Sequence, residues 1–242
     1  MKNLMIAGLL ALAAWPAAAG QMACVYDLEG EVSVQKPGAG WGAAAKGAPL
    51  NEGDSLRTGG KAWCELLFKD GSYVKLEAGS EVSMEKLLAG KEERALSFSF
   101  LRGKALWMAA KLKKLAASKF SIRTPTAVCA VRGTDFTMIV STSGETAVGL
   151  YEGEVALSGE AGEKTLAAGG EAAAGASGVT VQDRLSGLMK AEERRYRRVK
   201  GRVESLRKRL AEREDFIDDY MRRQEKSLSD FEKRRQEKLK RR

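Results

Sequence analysis

A chain of 242 residues, 44% hydrophobic and 30% charged, is long enough for one or two domains with a sizeable core and too polar for a multi-span membrane protein. It contains no histidine, which removes the commonest general base and the commonest zinc ligand. The net charge of +9 falls on residues 183–242, where 22 Lys+Arg face 13 Asp+Glu. An electrostatic partner would meet that segment and not the balanced body before it.

The N-terminus, MKNLMIAGLLALAAWPAAAG, reads as a secretory signal peptide over residues 1–19. Lys2 supplies the positive start, Leu4 to Ala14 an apolar run too short for an anchor, Pro16 a break, and Ala17-Ala18-Ala19 a small-residue cleavage site. Export to the periplasm or cell envelope is expected. A lipoprotein reading, with Cys24 acylated in QMAC, is weaker, because Gln21 is a poor residue three positions before such a cysteine. In an exported protein Cys64 and Cys129 read either as small buried strand residues or as a disulfide pair. No CxxC occurs, which speaks against a metal cluster or a thioredoxin-like site.

Residues 22–175 alternate short strand-like runs with glycine-rich turns at roughly ten-residue spacing, the pattern of an all-β sandwich, barrel or solenoid. Ala62, Cys64, Leu66 and Phe68 share one face of a strand, and Trp63, Glu65, Leu67 and Lys69 the other. Asp70-Gly71 is a tight-turn signal. A strand over RALSFSFLRGKALWMA follows a charged turn, and AKLKKLAASK after it reads as a surface connection. Pro125 should bend the chain or mark an edge. The tetrapeptide Glu-Gly-Glu-Val occurs in LEGEVSV (28–34) and again in YEGEVAL (151–157), a weak echo of equivalent turns. Trp41, Trp63 and Trp107 fall on or beside strands. They read as core or edge packing, or as aromatics of a binding groove.

Residues 176–182 read as an Ala/Gly-rich linker. From Asp183 proline is absent and charge dominates. Tyr196, Val199, Val203, Leu206 and Leu210 follow the 3-4-3-4 spacing of a coiled-coil stripe, which weakens when Arg213 takes the next slot. The expectation is one helix of about 50 residues, roughly 75 Å long, with a dimer seam in its first half.

Chemistry is scarce. There is no P-loop, GxGxxG, HExxH, EF-hand loop or GxSxG, and Ser72 and Ser80 have no base to activate them. No catalytic residue, metal or cofactor is expected. Arg132, in the apolar run VCAVRGTDF, is costly there unless paired. It reads as a strand-end guanidinium bonded to carbonyls or to Asp54 or Asp70, with Gly133 supplying a turn.

EGDSLRTGGKAWCELLFKDGSYVKLEAGSEVSM, followed by the words Thr-Pro-Thr-Ala and Val-Arg-Gly-Thr-Asp-Phe, resembles the FecR domain family. Gly53, Asp54, Asp70, Gly71, Ser72, Thr124, Pro125, Arg132, Gly133 and Thr134 carry the likeness. It implies a mainly β, FecR-like solenoid or sandwich domain, non-catalytic and extracytoplasmic. Here a long C-terminal helix follows it. The founding members are inner-membrane regulators that sense an outer-membrane transporter and control a sigma factor. A cleavable leader and a coiled coil depart from that plan, so the family role carries over as an interaction module. Two functions follow. One is a binding or scaffold protein of the envelope that self-associates through its C-terminal helix and meets an envelope protein or an anionic envelope surface, with no role for nucleic acid. The other is a periplasmic sensor of a small ligand, glycan or transporter.

Overall fold

The computed structural model describes residues 22–89, 93–111, 117–159 and 162–240. The signal-peptide reading of residues 1–19 lies outside the described residues, as do residues 112–116 of the connection read at 110–119, whose last three residues belong to a strand instead.

Two stacked β layers are joined by one long strand. The first layer runs, in hydrogen-bonded order, β4 (Pro49–Leu50), β1 (Ala23–Glu29), β6 (Trp63–Phe68), β7 (Tyr73–Leu76), the second half of β9 (Glu93–Met108), β12 (Asp135–Val140), β13 (Thr146–Glu152), β16 (Glu171–Gly175) and β17 (Gly178–Gln182). The second runs β3 (Trp41–Ala43), β2 (Val32–Gln35), β5 (Ser55–Thr58), β8 (Glu81–Ala89), the first half of β9, β10 (Ala117–Arg123), β11 (Val128–Val131), β14 (Glu154–Gly159) and β15 (Gly162–Ala167). Among the described residues β9–β10 is the single parallel pairing.

β9 changes layers at Gly103. Its φ is +99°, and a Cβ there would sit 2.4 Å from the Ser80 Cα, so only glycine fits. The two Glu-Gly-Glu-Val echoes do the same job at different places. Gly30 and Gly153 each end a strand of the first layer and open one of the second.

The core lies between the layers and follows period-2 alternation. Cys64, Leu66 and Phe68 of β6, Leu96, Phe98 and Phe100 of β9, and Phe136, Met138 and Val140 of β12 all point into it. Trp107 is fully buried at its centre, with Phe98 5.2 Å away between ring centroids and Phe136 stacked at 6.5 Å. Trp107 is therefore a core residue and not a groove aromatic. Cys64 and Cys129 are free, buried thiols on β6 and β11 of opposite layers, so the disulfide reading gives way to the core reading. Cys24 is also free and fully buried, in β1 beneath the helical layer, a position that leaves no room for an acyl chain.

The C-terminal segment departs from expectation in three ways. Residues 178–182, read as linker, form strand β17 in register with β16. The helix is two helices, α1 (Gly187–Glu212) and α2 (Phe216–Lys240). And its stripe is not free. Met189, Tyr196, Val203 and Leu206 are buried against the outer face of the first layer, where Tyr73, Leu106, Met108, Leu67 and Cys24 meet them. Met189 presses so closely on β13 that a Cβ on Gly149 would lie 2.8 Å from its sulfur.

The break has a physical cause. Arg213, in the slot where the stripe needs an apolar residue, turns out to Asp215 and Asp219, at 3.5 and 3.0 Å. The chain then bends, so that Phe216 and Ile217 bury on Cys24 and Leu67. A 3-4-3-4 stripe fixes only an apolar seam. It does not say whether the partner is a second helix or a sheet of the same chain.

This docking makes Leu206 a test. Leu206→Ala should cost about 2–4 kcal/mol of unfolding free energy, as for a buried leucine, measured by urea titration. A loss near 0.5 kcal/mol or less, as expected of a surface position, would mean that α1 does not sit on the sheet.

Candidate functional site

Two of the family words, Asp70-Gly71-Ser72 and Gly133-Thr134-Asp135, meet where the ends of β6, β9 and β12 face α1, while Gly53-Asp54 and Thr124-Pro125 lie at other turns. The Asp70-Gly71-Ser72 turn is bonded within itself, the Asp70 carboxylate accepting from the Ser72 amide at 2.8 Å and from its hydroxyl at 2.7 Å. The arginine on Asp70 is Arg94, at 2.9 Å, with both side chains 3% exposed or less. Arg94 also donates to the Ala110 carbonyl and the Ser118 hydroxyl, and the Ala110 amide donates to Ser72 Oγ. Arg94 is in phase with Leu96, Phe98 and Phe100, the core face of β9, which made it legible from alternation.

Arg132 is exposed, in phase with the outward residues of β11. It bonds to neither proposed carboxylate. Asp70 belongs to Arg94, and Asp54 takes Lys36 at 2.5 Å and the Asn51 amide at 2.8 Å. The pairing assigned to Arg132 is therefore corrected. Cys129 and Val131 face in, so strand parity turns the next residue out. The remaining motif residues hold turns. Gly133 has φ +61°, and a Cβ there would approach Lys111 Cγ to 2.8 Å. Gly53 sits at φ +86° against Pro37. Thr124 Oγ1 accepts from the Ala127 amide and from the Thr146 hydroxyl, while Pro125 is exposed at the bend. Thr134 is fully buried.

Asp135, the acid in the same word, reaches the helix. The Tyr196 hydroxyl lies 2.9 Å from Asp135 and 3.0 Å from Glu152, so one hydroxyl serves two carboxyl groups. Lys200 bonds to Glu152, and Lys111 approaches it at 3.2 Å. Arg207 donates to the Gly71 and Met108 carbonyls and stands 3.9 Å from Asp135. Arg202 binds the buried Glu65 at 2.5 Å and the Tyr73 hydroxyl at 3.2 Å. Tyr196, Lys200, Arg202 and Arg207 were visible in the sequence only as seam or solvated helix.

Burial pushes the Asp135 carboxyl up, against the pull of Arg207 and the Tyr196 hydroxyl. Glu152 is held down to about 2, chiefly by its hydrogen bond from Lys200. Burial raises all three thiols, Cys24 and Cys129 to about 12 and Cys64 further. They lack the thiolate character that reactivity needs.

Two clefts run along α1. One, about 350 Å³, is lined by Lys75, Lys104, Glu192, Arg195 and Arg198, and the other, about 380 Å³, by Lys69, Lys111, Asp135, Glu152, Lys200 and Arg207. Much of their charge is paired internally, as in Lys104–Glu192–Arg195. Among the described residues no group of three or more His, Cys, Asp or Glu could hold a metal ion. No helix among them is long and apolar enough to cross a membrane. The half-buried Trp41 and Trp63 each carry a cation over the ring, Arg57 at 4.3 Å and Lys75 at 4.6 Å, and Trp63 Nε1 donates to Glu29.

A FecR protein family model matches residues 54–156. Two crystal structures of a candidate anti-sigma factor from Parabacteroides distasonis ATCC 8503 align with TM-scores of 0.45 and 0.44 at 16% identity, over 54% of this chain. The chain spans 59% of their length. A search of curated proteins gave no match.

Two tests follow. Arg94→Met leaves Asp70 buried without its partner and should destabilise by about 3–5 kcal/mol, whereas Arg132→Ala should fall within about 0.5 kcal/mol of the parent. Equal effects in thermal unfolding would refute the assignment. The second test is pH. Glu152, depressed, favours the fold above its ordinary value of 4.5, and that contribution fades as pH falls towards about 2. Asp135, raised, acts oppositely: its charge costs nothing below its ordinary 3.8 and weakens the fold as pH rises through the raised value. Glu152→Gln should therefore lose stability at pH 7 and approach the parent at pH 3. Asp135→Asn should hold or gain stability at pH 7. Urea midpoints at the two pH values decide, and the opposite ordering would refute the network.

Proposed function

We propose that this chain, which carries a FecR domain over residues 54–156, is a non-catalytic interaction module of the cell envelope. The β layers present a rigid surface to a protein partner, and the C-terminal helices add a charged arm. The observation that carries this reading is where the polar groups of the family words go. Asp54, Asp70, Ser72 and Thr124 are all engaged in internal hydrogen bonds that close turns. A motif engaged in its own architecture leaves outer surfaces to do the binding. The envelope location rests on the N-terminal leader pattern. An anionic envelope surface would meet the basic end of the arm, and self-association would fall to α2, because the stripe of α1 is already covered.

A sensor for a small ligand or glycan is the second reading. The half-buried Trp41 and Trp63 favour it, but the cation over each ring occupies a face that a sugar would stack on.

Site-specific photo-crosslinking in cells discriminates between them. A probe at Arg132 or at the exposed Leu101 of β9 should yield a discrete protein adduct. No adduct from either, together with a tryptophan fluorescence change on adding cell-wall fragments or siderophores that Trp41→Phe or Trp63→Phe abolishes, would replace the module by the sensor.

A further inference from the structure

Two walls that both carry positive charge face each other where the first half of α1 crosses the sheet. The floor of this cleft is the outer face of β7, β9 and β12. Lys75, Leu106 and Thr137 are register partners across those strands and stand in one row. Lys104 lies two residues before Leu106, on the same face. Their strand neighbours Leu76, Ala105 and Met138 point into the core. α1 supplies the other wall with Glu192, Arg195, Tyr196, Arg198 and Val199. The volume is about 350 Å³, within the range of small-molecule sites.

Elsewhere along α1 the helix brings bases and the sheet brings acids. Lys200 takes Glu152, Arg202 takes Glu65, and Arg207 approaches Asp135. Here that pattern reverses. The sheet itself brings Lys75 and Lys104, and the helix answers with Arg195 and Arg198 beside one buried acid, Glu192. With Glu77 included, four cations face two carboxylates, which leaves a charge of +2.

Glu192 arranges this charge more than it cancels it. Its Oε1 accepts from Lys104 at 2.9 Å and from Arg195 at 2.7 Å, which holds two like charges side by side. Each has further N–H donors, since an ammonium has three and a guanidinium five. Among the described residues Arg198 has no carboxylate partner, and its Nε reaches the Arg194 carbonyl at 3.4 Å. Lys75 stands 3.8 Å from Glu65, whose Oε1 already accepts from Arg202 at 2.5 Å. Leu106, Val199 and Tyr196 form an apolar patch beside these charges.

We infer that this cleft binds a phosphate monoester with an apolar body. Cations that converge from two strands and a helix suit a tetrahedral dianion, which offers acceptor oxygens in several directions. A carboxylate offers two oxygens in one plane and a single charge. The apolar patch takes the carbon end of the ester. The bound phosphate bridges α1 to the sheet, so it also stabilises the docked helix. The site goes beyond the interaction-module reading and does not depend on it. Crosslinking from Arg132 or Leu101 tests the β body, and titration of this cleft tests the cleft alone.

The test is calorimetric titration of the purified chain with phenyl phosphate at low ionic strength. One ligand per chain is expected, with a higher melting temperature in its presence. Inorganic phosphate, which lacks the apolar body, and benzoate, which has a carboxylate in place of the phosphate, should each bind at least about tenfold more weakly. Arg198→Ala and Lys75→Gln, one from each wall, should each weaken phenyl phosphate about tenfold, the worth of one charge-assisted hydrogen bond. Arg198 is exposed, so its replacement leaves the fold intact, and melting without ligand checks this. Arg197→Ala should change nothing, because Arg197 is bonded to Glu193 at 2.6 Å and lines neither cleft. No binding up to several millimolar phenyl phosphate overturns the proposal. So does a loss with Arg197→Ala equal to that with Arg198→Ala, which would mean diffuse attraction to a basic helix. Benzoate or inorganic phosphate bound as tightly as phenyl phosphate overturns the ligand class.

Discussion

An arginine placed on the core-facing phase of a strand must find a carboxylate or lose several kcal/mol to desolvation. Arg94 finds Asp70, and the rest of the architecture is arranged around that pair. Arg94 stands at the start of β9, the strand that passes between both layers, so fixing it fixes the relation of one sheet to the other. Its remaining donors reach Ser118 on β10 and the carbonyl of Ala110 just past the end of β9. The Asp70 turn holds Ser72, and Ser72 accepts from the Ala110 amide, which closes the ring of contacts. The outer side of the same turn offers the Gly71 carbonyl to Arg207 of α1. A single buried ion pair thereby links two sheets and a helix.

The second constraint is the outer face of the first layer. It is neither a polar surface nor a plain apolar one. Leu67, Tyr73, Leu106 and Met108 need cover, and Glu65 and Asp135 need partners. α1 answers both needs, with apolar residues on one stripe and Tyr196, Arg202 and Arg207 reaching down beside them. Tyr196 shows how closely the two are joined. Its ring stacks on Tyr151 at 5.0 Å while its hydroxyl sits between two carboxyl groups. The opposed shifts of Asp135 and Glu152 mean that this contact does not simply weaken or strengthen with acid. Each carboxyl moves the balance in its own direction.

The chemistry follows from the same arrangement. Hydroxyls and carboxylates of the Asp-Gly-Ser and Thr-Pro-Thr words close turns, and burial raises the thiols well above their ordinary range. What stays open is shape and charge at the periphery. Among the described residues no helix covers the outer face of the second layer, and the end of α2 carries exposed apolar residues and a charge gradient. Those are the features on which the proposed interaction module rests.

Much of this was legible in the chain. Period-2 alternation assigned the inward faces of β6 and β12, and it also held the correct answers for Arg94 and Arg132, since parity alone turns the first inward and the second outward. The coiled-coil spacing correctly placed an apolar stripe on Tyr196, Val203 and Leu206, and the charge count correctly put the basic excess at the C-terminus. These are properties of local periodicity, which a linear sequence carries in full. The tertiary structure decided what each periodic face meets. Whether the stripe of α1 covers a sheet or another helix depends on the bend after Glu212 and on the apolar residues that β1, β6, β7 and β9 leave on the outer side of the first layer. The pairing of Asp70 with Arg94, 24 residues away, or of Asp135 with Tyr196, 61 residues away, depends on which strand ends arrive together. Residue spacing fixes a face, and only the closure of the chain upon itself supplies the partner for that face.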